Sequence, residues 1–275
     1  MPPEPNEAST GARTPAVHPE RSRGACLLIF LLGSACAQSP AHQFTGGFPV
    51  DAGGWLSLFN GTDFSGWDKY LGKPTPNDPP LGLNNDPRGV FTVVTVDGEQ
   101  AIQISGEVWG ALVSKGEYGS FDLHAEYKWG TRTWPPLNFH DSGIMYLTTG
   151  PYGAVNAGGD ALSNPPGSGA FQVSLEYQLF LASDIGGLYN LGPIQHILGP
   201  RNALAELPGV WNEVEIHVRP TSAEHFLNGT RVASATGFQL ALPGEPVVPL
   251  TRGRLQLQSE GGEIYLRRIR IHPFD

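Results

Sequence analysis

Glu176 sits in the run Phe171-Gln172-Val173-Ser174-Leu175-Glu176-Tyr177-Gln178-Leu179, in which apolar and polar residues strictly alternate. A period of two sends the two sets to opposite faces of a strand. One face then carries a carboxylate and two amides. Carboxylates accept hydrogen bonds, and amides both donate and accept them, so the face suits a hydroxyl-rich ligand such as a sugar. A positioned carboxylate can also act as a general base.

The same alternation recurs. Over Phe121–Trp129, Asp122, His124, Glu126 and Lys128 share one side, and over Trp211–Arg219, Glu213, Glu215 and His217 do. A solvated outer face gives the same pattern, so Glu126, Lys128, Glu213 and Glu215 are each better read as surface charges. Glu126 and Lys128 would serve as well in surface ion pairs, which contribute little. Trp67, Trp109, Trp129, Trp134 and Trp211 are candidate platforms for a sugar ring. Trp129 and Trp211 are assigned to the core by their strand positions, and Trp134, beside Pro135-Pro136, is the exposed candidate. His140 precedes Asp141-Ser142-Gly143-Ile144, and a histidine side chain is a candidate acid or base. His124, His217 and His225 lie in strands without metal-ligand spacing and read as structural. No cofactor is required by any motif. A divalent cation such as calcium stays open through Asp78, Asp86, Asp160 and Asp184, although none shows the dense spacing of a calcium loop.

These residues need rigid strands to hold them. Among 275 residues, 36 glycines and 25 prolines favour short strands and turns, and no stretch of twelve keeps a helical period. Phe91–Val96 and Ala101–Ser105 flank Asp97-Gly98, and Glu224–Ala233 carries Asn228-Gly229, both hairpin signals. Ser142–Leu147, Arg254–Ser259 and Glu263–Ile271 read as further strands. Residues 72–89, 148–170 and 182–209 read as long irregular loops, which in a compact domain are functional or disordered. The expected fold is all-β, an antiparallel sandwich or jelly roll. The net charge of −9 has no basic stripe, which argues against nucleic acid and anionic membranes as partners.

Residues 25–35 are apolar, too short to span a bilayer but of signal-peptide length, and Arg21 and Arg23 precede them. The expected division is a signal peptide over 1–37, a linker over 38–54 and one domain over 55–275. Leu32-Gly33-Ser34-Ala35-Cys36 loosely resembles a lipobox, so Cys36 is either lipidated, with a lipid anchor to the membrane, or removed by cleavage after Ala37. Both cysteines, Cys26 and Cys36, fall in this segment, which leaves the domain without disulfides or thiolate metal sites. The protein is expected to be exported, as a periplasmic, cell-surface or secreted form.

An ordered set of motifs supports a resemblance. Leu58-Phe59-Asn60-Gly61 runs through Gly66-Trp67 to Leu112-Val113-Ser114-Lys115, followed by Asp141-Ser142-Gly143-Ile144 and Glu176-Tyr177-Gln178-Leu179. Trp211-Asn212-Glu213-Val214, His225-Phe226-Leu227-Asn228-Gly229 and Leu255-Gln256-Leu257-Gln258 complete it. Over residues 55 to 274 the chain resembles the 3-keto-disaccharide hydrolase family, exported bacterial proteins with a concanavalin A-like jelly roll. The resemblance implies a hydrolase acting on glycosides already oxidised at C3. The ketone acidifies the C2 proton, a base removes it, the C1 substituent is eliminated, and water adds back. It implies Glu176 as base, with His140 as an acid or base and Lys128 and Lys115 supplying charge at the C3 oxygen. Gln178, Gln258 and Asp141 would orient hydroxyls, and Trp134, Tyr146 and Glu126 would add substrate contacts. Glu176, Gln178 and Lys128 are thus expected to project into one hollow. Where the family often carries an arginine, this chain has Leu147 and Thr148, which keeps a non-catalytic carbohydrate-binding module as the alternative. A two-carboxylate glycosidase using Glu176 with Glu126 or Glu260 ranks below the keto-sugar reading, because no Glu-x-Asp-x-x-Glu run occurs.

Overall fold

A computed structural model describes residues 50–159, 161–180, 185–202 and 206–274. The expected signal peptide, the cysteines and most of the linker lie outside the described residues, as do Asp160 and Asp184. Within the described residues every element is a strand, and every strand pairing is antiparallel.

Two sheets form the jelly roll. The seven-stranded sheet runs Leu188–Leu191, Val173–Phe180, Asp141–Thr149, Arg254–Ser259, Gly110–Ser114, Trp67–Leu71, Gly82–Leu83. The main path of the ten-stranded sheet is Ile194–Leu198, Thr230–Leu240, Ser222–Leu227, Asn212–Arg219, Phe121–Thr133, Gly262–Pro273, Glu99–Ile104, Phe91–Val96. Strand neighbours distant in sequence lie side by side, as a jelly roll requires. Asp97-Gly98 and Asn228-Gly229 make the two expected hairpin turns with positive φ at both positions (52° and 81°, 48° and 75°), the type I′ geometry that Asn, Asp and Gly tolerate.

The core lies between the sheets. Leu175, Tyr177 and Leu179 from one sheet and Leu123, Ala125, Tyr127, Val214, Ile216 and Val218 from the other are essentially inaccessible. Tyr177 crosses the gap, its hydroxyl donating to the Phe226 carbonyl at 3.1 Å. Interior residues therefore occupy odd positions in the Val173–Phe180 strand, and Glu176 and Gln178 point away from the second sheet. That leaves the polar half of the strand on the sheet's other face, beneath loops rather than in open water.

Part of the segment expected to be irregular after residue 182 is regular. Leu188–Leu191 and Ile194–Leu198 are edge strands, one on each sheet. Their irregular hydropathy reflects their position, because an edge strand packs on few neighbours and needs no strict alternation.

Candidate functional site

Strand register builds the site around a glycine. Gly143 pairs with Gln178, Met145 with Glu176, and Gln256 with Met145. Two residues on, Gln258 falls in the Gly143 row, and its backbone carbonyl accepts from Ser142 Oγ at 2.8 Å. A Cβ on Gly143 would collide with Glu176 Oε1 and stand 2.8 Å from Gln258 Oε1. The missing side chain is what makes room for the Glu176 carboxylate beside the Gln258 amide. Gln258 Oε1 is itself buried without a hydrogen-bond partner among the described residues.

Asp141 and Glu260 occupy the next row of the same face. Gln178 donates its amide to Asp141 Oδ1 at 2.7 Å. Glu260 ends the Arg254–Ser259 strand, where Gly261 (φ 84°) and Gly262 turn the chain into the next sheet. Glu176 is 5 % and Glu260 8 % exposed. Burial first, then the charges of Asp141 and Glu176, push the Glu260 carboxyl well above the ordinary carboxylate range. Removing a carboxylate from water disfavours its charged form, and adjacent like charges add to the penalty. Glu260 is thereby held as a neutral acid where an exposed glutamate is ionised.

Two segments flank Glu260. Gly261 N–H donates to the Gly106 carbonyl at 2.9 Å, and Trp134 N–H to the Gly261 carbonyl at 2.7 Å. The first segment continues into Glu107 and Trp109, the second into Pro135 and Pro136. All four line a cavity of about 450 Å³, closed on its other side by Lys73, Asn156, Asn164 and Ala170. Trp109 follows the register one step past the Ser259–Gly110 pair, which brings it opposite Glu260, and its ring stacks on Phe171 at 6.4 Å. The other end of the face is closed by its own amides: Gln256 Nε2 donates to Thr148 Oγ1 (3.2 Å) and Ser174 Oγ (3.3 Å), and Gln172 Nε2 to the Gly150 carbonyl. The reactive groups are concentrated at the Glu260 end.

The structure brings Glu176, Gln178, Asp141 and Gln258 together, and it separates the other expected site residues from them. Lys128 and Glu126 lie in Phe121–Thr133 of the ten-stranded sheet, at positions alternating with the core residues Ala125 and Tyr127, so both point to that sheet's outer surface. There Lys128 Nζ pairs with Asp97 at 3.0 Å, and Glu126 binds Arg267 and Arg268, both at 2.8 Å. The hollow expected to combine Lys128 with Glu176 therefore does not form; the two alternations belong to different sheets. Lys115 lies just past Gly110–Ser114, four residues beyond the partner of Gln258, about 13 Å along the strand. It pairs there with Asp68 at 3.7 Å. Tyr146 has interior parity, fully buried with its hydroxyl 3.0 Å from His225 Nε2, so it cannot touch substrate. Trp134 spends its indole N–H on the Ser105 carbonyl at 2.9 Å, tying the 134–140 loop to the sheet end. His140 stacks on Trp129 at 4.8 Å, with Nε2 buried and without a hydrogen-bond partner among the described residues. Trp211, expected in the core, is on the outer surface instead, 4.0 Å under Arg267 and hydrogen-bonded to Asp97.

Three residues of the site have little or no sequence signal. Gly143 has no side chain to register in a pattern. Glu260 stands in a strand-ending turn and is named by sequence only as the second carboxylate of a two-carboxylate glycosidase, and Trp109 is one tryptophan among several. Among the described residues no group of three His, Cys, Asp or Glu side chains is arranged to hold a metal ion. Asp86 caps the backbone N–H groups of Val90 and Phe91 and pairs with Lys69. Asp78 accepts from Thr75.

The pattern of the family described as 3-keto-alpha-glucoside-1,2-lyase-like domain matches residues 54–272. None of the curated proteins matches. Among solved structures, the chain is similar to a proposed glycosyl hydrolase from Parabacteroides distasonis ATCC 8503, at 20 % identity and a TM-score of 0.51, covering 82 % of this chain and 95 % of that one. A second such protein from the same organism gives 17 % identity and a TM-score of 0.48 over 80 % and 99 %. A Bacillus licheniformis β-glucanase gives 11 % and 0.40 over 82 % and 100 %. At these identities the likeness is one of fold.

Proposed function

Because the chain belongs to the 3-keto-alpha-glucoside-1,2-lyase-like domain family, we propose that it is an exported enzyme that cleaves glycosides carrying a ketone at C3, with Glu176 as the general base. The observation that carries this reading is the Glu176 carboxylate seated in the slot left by Gly143, beside Gln258 and within the field of Glu260.

The chemistry follows from the ketone. A C3 carbonyl makes the C2 proton acidic, and Glu176 takes that proton, leaving an enediolate. A base on a central strand, with its position fixed by packing on Gly143, is pre-oriented for such a transfer. The side-chain amides of Gln258 and Gln178 supply donors for the C2 and C3 oxygens as charge develops there, the part first given to lysines. Preorganised neutral donors in a buried site stabilise a developing oxyanion. The enediolate expels the C1 substituent and water adds to C1.

The test is release of 3-keto-glucose from 3-keto-trehalose and from 3-keto-β-glucosides, with the unoxidised parent glycosides as controls. Cleavage of the keto substrates alone supports the reading. Cleavage of the parent glycosides would instead favour a two-carboxylate hydrolase built on Glu176 and Glu260. Saturable sugar binding without turnover, unaffected by Glu176→Gln, would make the domain a binding module.

A further inference from the structure

The proposed elimination needs a proton at the departing oxygen. We propose that Glu260 is the donor of that proton, and that the cavity walled by Trp109 and by Pro135-Pro136 holds the leaving group. This assignment rests on the reaction proposed above.

Geometry supports it in three ways. Glu260 is on the same sheet face as Glu176, two rows along, and the Glu176 carboxylate leans over Gly143 of the row between them, so a ring held over Gly143 can meet one carboxyl at C2 and the other at the C1 oxygen. The two segments flanking Glu260 are the ones that wall the cavity, so a substituent leaving C1 past Glu260 enters it. The other expected acid, His140, has its ring stacked against Trp129 of the opposite sheet. Glu260 is also held protonated by burial and by Asp141 and Glu176, the state a donor must have before the bond breaks.

Protons and bonds balance without any further reagent. Glu176 takes the C2 proton, the electron pair forms the C1–C2 double bond, the C1–O bond breaks, and Glu260 protonates the released oxygen. On the return, Glu260, now ionised, removes a proton from the water that attacks C1, and Glu176 restores the proton to C2. Both carboxyls end as they began.

The cavity lining also limits the leaving group. Trp109 and the prolines offer apolar surface for a ring face, while Asn156, Asn164 and Ser168 offer hydroxyl partners. The carboxylate in the lining, Glu107, is occupied by Arg88 at 2.6 Å, and among the described residues Lys73 is the single basic group in the wall. A neutral sugar or aromatic alcohol fits this wall better than a uronate or a phosphate, which would seek a cluster of cations.

The experiment compares wild type with Glu260→Gln on 3-keto-β-glucosides that differ in the leaving group alone, 4-nitrophenol against glucose. Nitrophenolate departs without a proton, so Glu260→Gln should cost about 10²- to 10⁴-fold on the glucosyl substrate and under about tenfold on the nitrophenyl one. The alkaline limb of wild-type kcat/KM, where Glu260 loses its proton, should vanish in Glu260→Gln. Equal losses on both substrates, with wild type active, overturn the donor role alone; a wild type inert on both overturns the reaction and this role with it. Trp109→Ala should raise KM for the glucosyl substrate and leave the methyl 3-keto-β-glucoside unchanged. An equal rise for both overturns the assignment of the cavity.

Discussion

Two polar sheet faces in this molecule carry carboxylates in opposite electrostatic settings. On the outer face of the ten-stranded sheet each acid meets a base: Glu126 with Arg267 and Arg268, Glu99 with the same two arginines at 3.1 and 2.9 Å, Asp97 with Lys128. There the hydrogen bond from Arg268 holds Glu99 below the ordinary carboxylate range, and that from Lys128 does the same to Asp97. On the face of the seven-stranded sheet, burial first and then the charges of Asp141 and Glu176 move the acidity of Glu260 the other way. The first arrangement is what a folded chain does with surface charge. The second lowers stability to keep a proton in place, and strongly displaced acidity of this kind gathers at functional sites. Alternation in sequence reports a polar face; whether it is inert depends on which charges share it.

The strongest test of that contrast is Glu176→Gln, which keeps shape and removes the base. Turnover of a 3-keto-glucoside should fall about 10²- to 10⁴-fold with the fold intact by circular dichroism. A variant that keeps wild-type turnover would place the seven-stranded face among the inert ones.

A buried histidine sharpens the comparison from the core side. His225 Nδ1 faces the Gly186 carbonyl at 3.0 Å, so it carries the proton, and Nε2 accepts from the Tyr146 hydroxyl. Burial lowers this imidazole from 6.5 to about 4, outweighing the two backbone hydrogen bonds that favour its charged form. A group depressed in the fold costs stability as pH falls: the unfolded chain takes up its proton from about pH 6.5, and the folded one resists until about pH 4. The expected loss is about 3 kcal/mol between those values, with no direct effect on the reaction. NMR of the imidazole should show it neutral at pH 5. Titration near 6.5 would mean that burial does not govern the acidities inside this fold, and the reading of Glu260 would weaken with it.

Gly143→Ala probes the active face by sterics alone. The added methyl meets Glu176 Oε1, the free end of a rotatable side chain, so the carboxylate should swing aside while the strands hold. A misplacement of about 1 Å at a reacting group costs on the order of 10²-fold, and kcat rather than thermal stability should carry the loss. Stability lost without any change in kcat would assign Gly143 to packing.

Much of the architecture was legible from residue order. The strands around Glu176, Leu123 and Ile216 alternate because one side of each packs in the core, and Asp97-Gly98 and Asn228-Gly229 announce their turns. What stayed hidden is pairing. Lys128 and Glu176 occupy equivalent places in two equally regular alternations, and only long-range register puts one on each sheet. Tyr146 is a single residue from the outward parity of Met145, yet it faces the interior. Glu260 gains its character from Asp141 and Glu176, which lie about a hundred residues earlier in the chain, so no local pattern could mark it.

The smallest effect is expected from Lys128→Ala, and it bears directly on the difference between the faces. By sequence Lys128 is as good a partner for a sugar oxyanion as any residue here. In the structure its ammonium is committed to Asp97, a residue that also accepts from Trp211, on the far side of the ten-stranded sheet. An exposed pair of this kind contributes little to stability. Its removal should leave turnover of a 3-keto-glucoside within about twofold of wild type, the long range of a single screened charge. A loss of tenfold or more, without unfolding, would mean that the outer face takes part in the chemistry, and the contrast between the two faces would no longer locate the site.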